Sequence, residues 1–198
     1  MLHFLLTAWF LHISIIQFII MYKLCISSVL VLFIFFKSNT LADNYDNALN
    51  EYGKGNYETA LNLFLSAIQN EESLDAYYYL GYMYINGLGT EIDEEESHFW
   101  FREGAIKGES WSQHAYGRQL IDGTGGIQDN IEGINWIKKS ANAGYIDAQY
   151  DLAVSYDLGL NGVIENKKDA RYWYYQAAMQ GDDEAQFYLG IMFMEGEG

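Results

Sequence analysis

Residues 76–89 read AYYYLGYMYINGLG, and the same arrangement returns in looser form at 112–125 as SQHAYGRQLIDGTG. In the first copy Ala76, Leu80, Met83 and Tyr84 fall at i, i+4, i+7 and i+8, one face of an α-helix. Asn86-Gly87-Leu88-Gly89 ends that helix, because glycine adopts the left-handed conformation of a helix C-cap without a side-chain clash.

The repetition extends well beyond the glycines. Leu80-Gly81 and Gly87-x-Gly89 return as Tyr116-Gly117 and Gly123-x-Gly125, and Trp100, Ala105 and Gly108 return as Trp136, Ala141 and Gly144, all 36 residues on. A third copy holds Ala148, Leu152-Ala153, Tyr156, Gly159, Trp173, Ala178 and Gly181, with one residue inserted before Gly162. A fourth begins with Ala185, Leu189-Gly190, Phe193 and Gly196-x-Gly198. A fixed period of this size marks units that cannot bury their own apolar face and must stack on their neighbours. The expected fold is therefore all-α, an α/α solenoid superhelix of antiparallel helix pairs.

Each unit divides into a helix A and a helix B. Asp93, Asp129 and Asn166 are placed to cap the first turn of helix B. Along that helix Ser97, Trp100, Gly104 and Lys107 follow at intervals of three or four, and Gly133-Trp136-Ser140 and Ala170-Trp173-Ala177 repeat the rhythm of small, large, small. Gly108, Gly144 and Gly181 then release the chain into the next helix A. Ala76, Ser112, Ala148 and Ala185 are small where helix backbones should meet, and Gly81, Gly117 and Gly190 are read as serving the same close approach. Each of those glycines costs about 1 kcal/mol relative to alanine in a helix interior. A slightly different unit precedes these copies, with Asp46 to Tyr52 as its first helix and Gly55-Asn56-Tyr57-Glu58-Thr59-Ala60, Phe64 and Ala67 marking its second.

The stretch before Asp43 is of another kind. It contains no acidic residue, and residues 1–36 are almost wholly apolar. From Met21 the sequence MYKLCISSVLVLFIFFKSNTLA has a short positive start, an apolar run from Leu24 to Phe36 and a small-residue end at Thr40-Leu41-Ala42. That is the pattern of a signal peptide cleaved after Ala42, with translation starting at Met21 as one explanation of the preceding twenty residues. A retained membrane anchor is the other reading, since the apolar stretch exceeds the ~20 residues that span a bilayer. Cys25, the only cysteine, lies inside this segment, so a cleaved product has no disulfide. The expected organisation is residues 1–42 as signal peptide, 43–75 as a tetratricopeptide-like opening repeat, 76–111, 112–147 and 148–184 as three full repeats, and 185–198 as the first helix of a fourth. The expected location is periplasmic or secreted, or membrane-anchored if the leader is kept.

The spaced set A-x-x-x-L-G-x-x-Y-x-x-G-x-G, then Asp, Trp, Ala and Gly, resembles the Sel1-like repeat family over residues 76–198, with a tetratricopeptide-like unit at about 44–70. Departures are Ser112 and Tyr116 in the second copy and Ala153 in the third. The resemblance implies an antiparallel-helix superhelix that acts as an adaptor holding other proteins. Some cysteine-rich relatives are described as penicillin-binding or weakly β-lactamase-like, which makes a cell-envelope enzyme the alternative function. The cysteine-free mature chain departs from that subgroup.

Composition and motifs weigh against chemistry and against nucleic acid. Eleven Lys and Arg face 27 Asp and Glu, a formal net charge of -16, which repels a phosphate backbone and tolerates a basic or neutral partner. No serine is followed at three by lysine, so the acylation motif S-x-x-K is absent. His98 and His114 lie in different helices without a ligand-spaced neighbour, so neither metal nor cofactor is expected. Asp93-Glu94-Glu95-Glu96 sits at a helix start, where carboxylates complement the helix dipole.

The side of helix A opposite its core face is more informative. There Tyr78, Tyr82 and Ile85 correspond to His114, Arg118 and Ile121, to Tyr150, Val154 and Asp157, and to Phe187, Ile191 and Met194. Variation at a fixed structural position suits a binding groove, and packing against the next repeat explains it as well. The candidate partner-binding residues are Tyr78, Tyr82, His114, Arg118 and Tyr150, and the expected partner is a protein or peptide, with no nucleic acid and no membrane once the leader is removed. The last helix, AQFYLGIMFM, is apolar almost all round, which raises self-association as a second way of burying it.

Overall fold

The apolar 3.6-residue period becomes helix throughout the computed structural model, which describes residues 44–70 and 73–197. The helices are α1 (44–53), α2 (Tyr57–Gln69), α3 (Asp75–Asn86), α4 (Glu94–Lys107), α5 (Ser110–Asp122), α6 (Asn130–Asn142), α7 (Ile146–Leu158), α8 (Lys167–Met179) and α9 (Asp183–Glu195). No strand occurs among the described residues. The chain is an all-α solenoid in which α3, α5, α7 and α9 are first helices and α2, α4, α6 and α8 are second helices. The expected signal peptide and its cleavage site lie outside the described residues. Among the described residues no helix is long and apolar enough to cross a membrane.

The expected caps form. Asp93, Asp129 and Asn166 each accept backbone N–H bonds in the first turn of α4, α6 and α8. The N–H groups of the same three residues donate to the carbonyls of Tyr84, Leu120 and Tyr156, at 3.0, 2.8 and 2.8 Å. In these three repeats one residue therefore starts helix B and ties it to the end of helix A. A second recurring tie joins helix B to the next helix A. Gln113, Gln149 and Gln186 donate through Nε2 to the carbonyls of Ala105, Ala141 and Ala178, at 3.3, 3.2 and 3.2 Å.

Packing follows the small residues. Ala76, Ser112, Ala148 and Ala185 are all fully buried. Gly117 of α5 and Gly133 of α6 cross so closely that a Cβ on either would stand 2.7 Å from the other's carbonyl oxygen. Gly81 is roofed by the Phe101 ring at 2.6 Å from such a Cβ. Gly190 departs from the expected pattern, because nothing lies within 4 Å of its Cβ position. The seam at Gly81 and Gly117 is made by the helix B that follows in the same repeat, and among the described residues α9 has no such helix over it.

The second glycine of each G-x-G has a separate task. Gly125 has a φ of +70°, and its Cβ position falls against the backbone of Glu94 at the start of α4, in contact with its carbonyl oxygen. Gly89 sits likewise on the backbone of Tyr57 and Glu58 at the start of α2, whereas Gly162, one residue later in its G-x-x-G, meets only the Ile131 side chain at the start of α6. The loops leaving α3, α5 and α7 thus rest on the first turn of the preceding helix B.

Candidate functional site

Because the side chains of α3, α5 and α7 that face away from the core sit one period apart, they form a strip across the repeats. At one end Tyr78 lies half-buried among Tyr82, Phe101 and Trp111, with ring centroids 6.1, 5.7 and 5.4 Å away. Trp111 then meets Tyr145 at 6.3 Å, and Tyr145 meets the His114 ring at 5.2 Å. The Tyr145 hydroxyl donates to Asp147 at 2.6 Å.

A polar cluster occupies the middle of the strip. His114 Nε2 lies 2.8 Å from Asp151 Oδ2, and Arg118 reaches the same oxygen at 3.5 Å. The His114 side chain is only 12 % exposed and the Arg118 side chain 58 %, so the imidazole braces α5 on α7 while the guanidinium stays in solvent. An exposed pair of this kind adds little to stability, which leaves Arg118 free to exchange Asp151 for another acceptor. Beside it a cleft of about 210 Å³ is lined by Arg118, Asp122, Asp151 and Asn161 over Ile121, Val154 and Leu160. Charged groups of both signs above an apolar floor can hold a peptide segment by hydrogen bonds and by one or two apolar side chains.

At the far end Tyr150 packs 6.0 Å from Tyr174 and 6.3 Å from Tyr188. Burial first, then the Glu184 carboxylate, holds its phenol proton well above the ordinary range. Burial raises Tyr78 and Tyr145 in the same direction. These phenols stay protonated, so along the strip they can donate hydrogen bonds.

The five candidates thus divide. Tyr82, 37 % exposed, and Arg118 face solvent, whereas Tyr78, His114 and Tyr150 lie more deeply and hold the strip in place. Trp111, Tyr145 and Asp151 belong to the strip and were not singled out by equivalence between repeats. Asp151 lies 37 residues after His114, so a search for complementary side chains about one period apart finds it. Elsewhere, among the described residues, no group of three or more His, Cys, Asp or Glu could hold a metal ion. His98 packs on the Tyr116 ring at 5.1 Å, beneath Gly126.

Comparison with known proteins gives a consistent result. The family model described as Sel1 repeat matches residues 41–71, 74–109, 112–145, 146–182 and 183–198. A sel1-like repeat-containing protein, L21, of Acanthamoeba polyphaga mimivirus is 33 % identical over 118 residues, covering 60 % of this chain and 21 % of its own length. An exopolysaccharide production negative regulator of Rhizobium leguminosarum bv. viciae is 32 % identical over 128 residues, covering 58 % of this chain and 46 % of the relative. Among solved structures, a Sel1 repeat protein from Oxalobacter formigenes matches with a TM-score of 0.67 and 30 % identity, over 71 % of this chain and 40 % of that one. The chain spans less than half the length of each of these proteins.

Proposed function

The chain belongs to the Sel1 repeat family, and from that premise we propose that it is an exported adaptor which binds a protein or peptide partner along the strip of first helices. Sel1 repeats generally mediate protein–protein interaction, and their solenoids are generally scaffolds without catalysis. The observation that carries the reading is the strip itself. Tyr82 and Arg118 reach solvent from positions fixed by an aromatic row and by the His114–Asp151 contact, a rigid support with adaptable tips. The formal charge of -16 favours a basic or neutral partner. The leader-like segment at residues 21–42 supports export to the periplasm or the medium.

Two measurements test this. The full chain and a Tyr82→Ala, Arg118→Ala double variant are used as baits in cell-envelope and extracellular extracts, and the captured partner is titrated against both. The expected result is a partner held by the parent and weakened at least roughly tenfold in the variant, whose helical content is unchanged. Equal affinity for the two baits removes the strip as the site. Mass spectrometry of the protein recovered after expression should give an N-terminus at Asp43, and a chain that keeps residues 1–42 refutes cleavage.

A further inference from the structure

Two carboxylates of α7 face α5 along the strip, and only one of them is matched by a cation. Asp151 takes His114 at 2.8 Å and Arg118 at 3.5 Å, both from α5. One turn earlier on α7 stands Asp147. Its carboxylate is exposed, accepts the Tyr145 hydroxyl at 2.6 Å, and pairs with no cation among the described residues. The α5 side chain that reaches this end of the strip is Trp111, which meets the Tyr145 ring at 6.3 Å.

Trp111 is held firmly and left open. Glu109 accepts its backbone N–H at 2.8 Å, which fixes the first turn of α5 that carries the indole. The ring leans on Tyr78 at 74° and on Tyr145 at 47°, so it is stacked on neither, and the residue stays 37 % exposed. Its indole N–H has no acceptor among the described residues, whereas those of Trp100 and Trp136 are taken by Glu96 and Glu132. Repeats stand on both sides of α5, so this exposure does not come from an end of the array. Elsewhere the chain covers aromatic rings with its own cations. Lys107 lies 5.4 Å from the centroid of Tyr77, Lys138 lies 5.3 Å from that of Tyr156, and Lys139 lies 3.5 Å from that of Trp136. Among the described residues no cation lies over Tyr78, Trp111 or Tyr145.

An exposed π face beside an unmatched carboxylate attracts a cation, and indole is the strongest such face. Burial first, then the neighbouring phenols and the Asp147 and Glu109 carboxylates, holds the Tyr78 phenol proton above its ordinary range, which marks a negative potential at this end of the strip. Of the basic side chains arginine fits best, since its planar, weakly hydrated guanidinium stacks on an indole and still donates in its own plane to a carboxylate. We propose that the Trp111–Asp147 site receives an arginine side chain of the protein or peptide partner, the guanidinium stacked on the indole and donating to Asp147. On the adaptor reading, which this site presupposes, arginine is then a group by which the partner is held. Arg118 on Asp151 is the chain's own guanidinium–carboxylate contact one turn further along α7.

The probe is the tripeptide acetyl-Gly-Arg-Gly-amide, titrated into the full chain by NMR and read at the indole N–H signal that Trp111→Leu removes. A saturable shift of that signal is expected, with affinity falling roughly three- to fivefold when citrulline, a neutral isostere, replaces arginine. Asp147→Asn keeps an acceptor for the Tyr145 hydroxyl, and it should weaken the arginine tripeptide roughly threefold or more while leaving the citrulline one unchanged. The proposal is overturned by an absence of saturation, by equal binding of the two tripeptides, or by an Asp147→Asn chain that binds both as the parent does. The Tyr82→Ala, Arg118→Ala chain should bind the tripeptide like the parent, so tripeptide binding and partner capture can fail separately. A partner captured through Tyr82 and Arg118 without any tripeptide binding removes the arginine site and keeps the adaptor. Tripeptide binding with no partner, or with a partner indifferent to Trp111→Leu, overturns the proposal from the other side. Sedimentation that shows the chain pairing with itself, in a way that Trp111→Leu breaks, also overturns it, because the occupant is then a second copy.

Discussion

Gly125→Ala is expected to lower the free energy of unfolding by about 2–4 kcal/mol, through strain that an L-residue meets in the left-handed region and through overpacking against neighbouring backbone. The two contributions can be separated. Gly144 has a φ of +95° with open space at its Cβ position, so Gly144→Ala carries the conformational strain alone, about 1–2 kcal/mol. At Gly125 the added methyl also meets the Glu94 carbonyl in the first turn of α4, and a backbone atom cannot swing away as a side chain does. The α5 exit loop must then lift from α4. Denaturant titrations of the two variants decide the matter, with unchanged slopes and a clearly larger midpoint shift for Gly125→Ala. Equal shifts would reduce the second glycine of each G-x-G to an ordinary turn residue and remove its role as a contact between successive repeats.

The fold was legible because the repeat writes the same physical requirement several times. One glycine in a helix is ambiguous, but Gly81, Gly117 and Ala153 at a constant period, each followed by a tryptophan some twenty residues on, identify a seam. The caps at Asp93, Asp129 and Asn166 were legible for the same reason. Gly190 was misjudged, since equivalence in sequence assumes an equivalent neighbour and the neighbour here would be a helix that the described residues do not contain. The glutamines at 113, 149 and 186 also recur at the period and escaped notice, because polar side chains in a helix are usually solvated, and only the structure shows them donating to the preceding helix B. The strip was legible in part. Period-matching finds positions that share a face, such as Tyr82 and Arg118, but not partners that complement one another between faces. Asp151 was invisible to it for that reason, although it is what holds His114 in place.

Tyr174→Ala should be among the most destabilising single changes in the array, at about 3–5 kcal/mol. The ring is fully buried and is surrounded by Ala153, Ala170, Ala177, Ala185 and Met192, with Tyr188 stacked on it at 5.6 Å. The alanines are already at their smallest and are held by their backbones, so only Met192 and the neighbouring tyrosines can shift toward the cavity and most of it stays open. The hydroxyl matters less. Burial first, and the Asp157 carboxylate after it, keeps the phenol protonated, and Tyr174→Phe keeps the volume and removes only the hydroxyl, at a cost of about 1 kcal/mol or less. The loss is expected to be unevenly distributed, because each repeat in a solenoid is stabilised by its immediate neighbours. In hydrogen exchange the amides of α9 should lose protection first and those of α7 and α8 next, with α2 and α3 close to the parent. Uniform loss along the chain, or equal costs for Ala and Phe, would show that Tyr174 does not anchor α9. If it does anchor α9, this ring is the largest of the buried side chains that join α8 to α9, and Tyr174→Ala should loosen α9 while leaving Tyr82 and Arg118 on a folded scaffold.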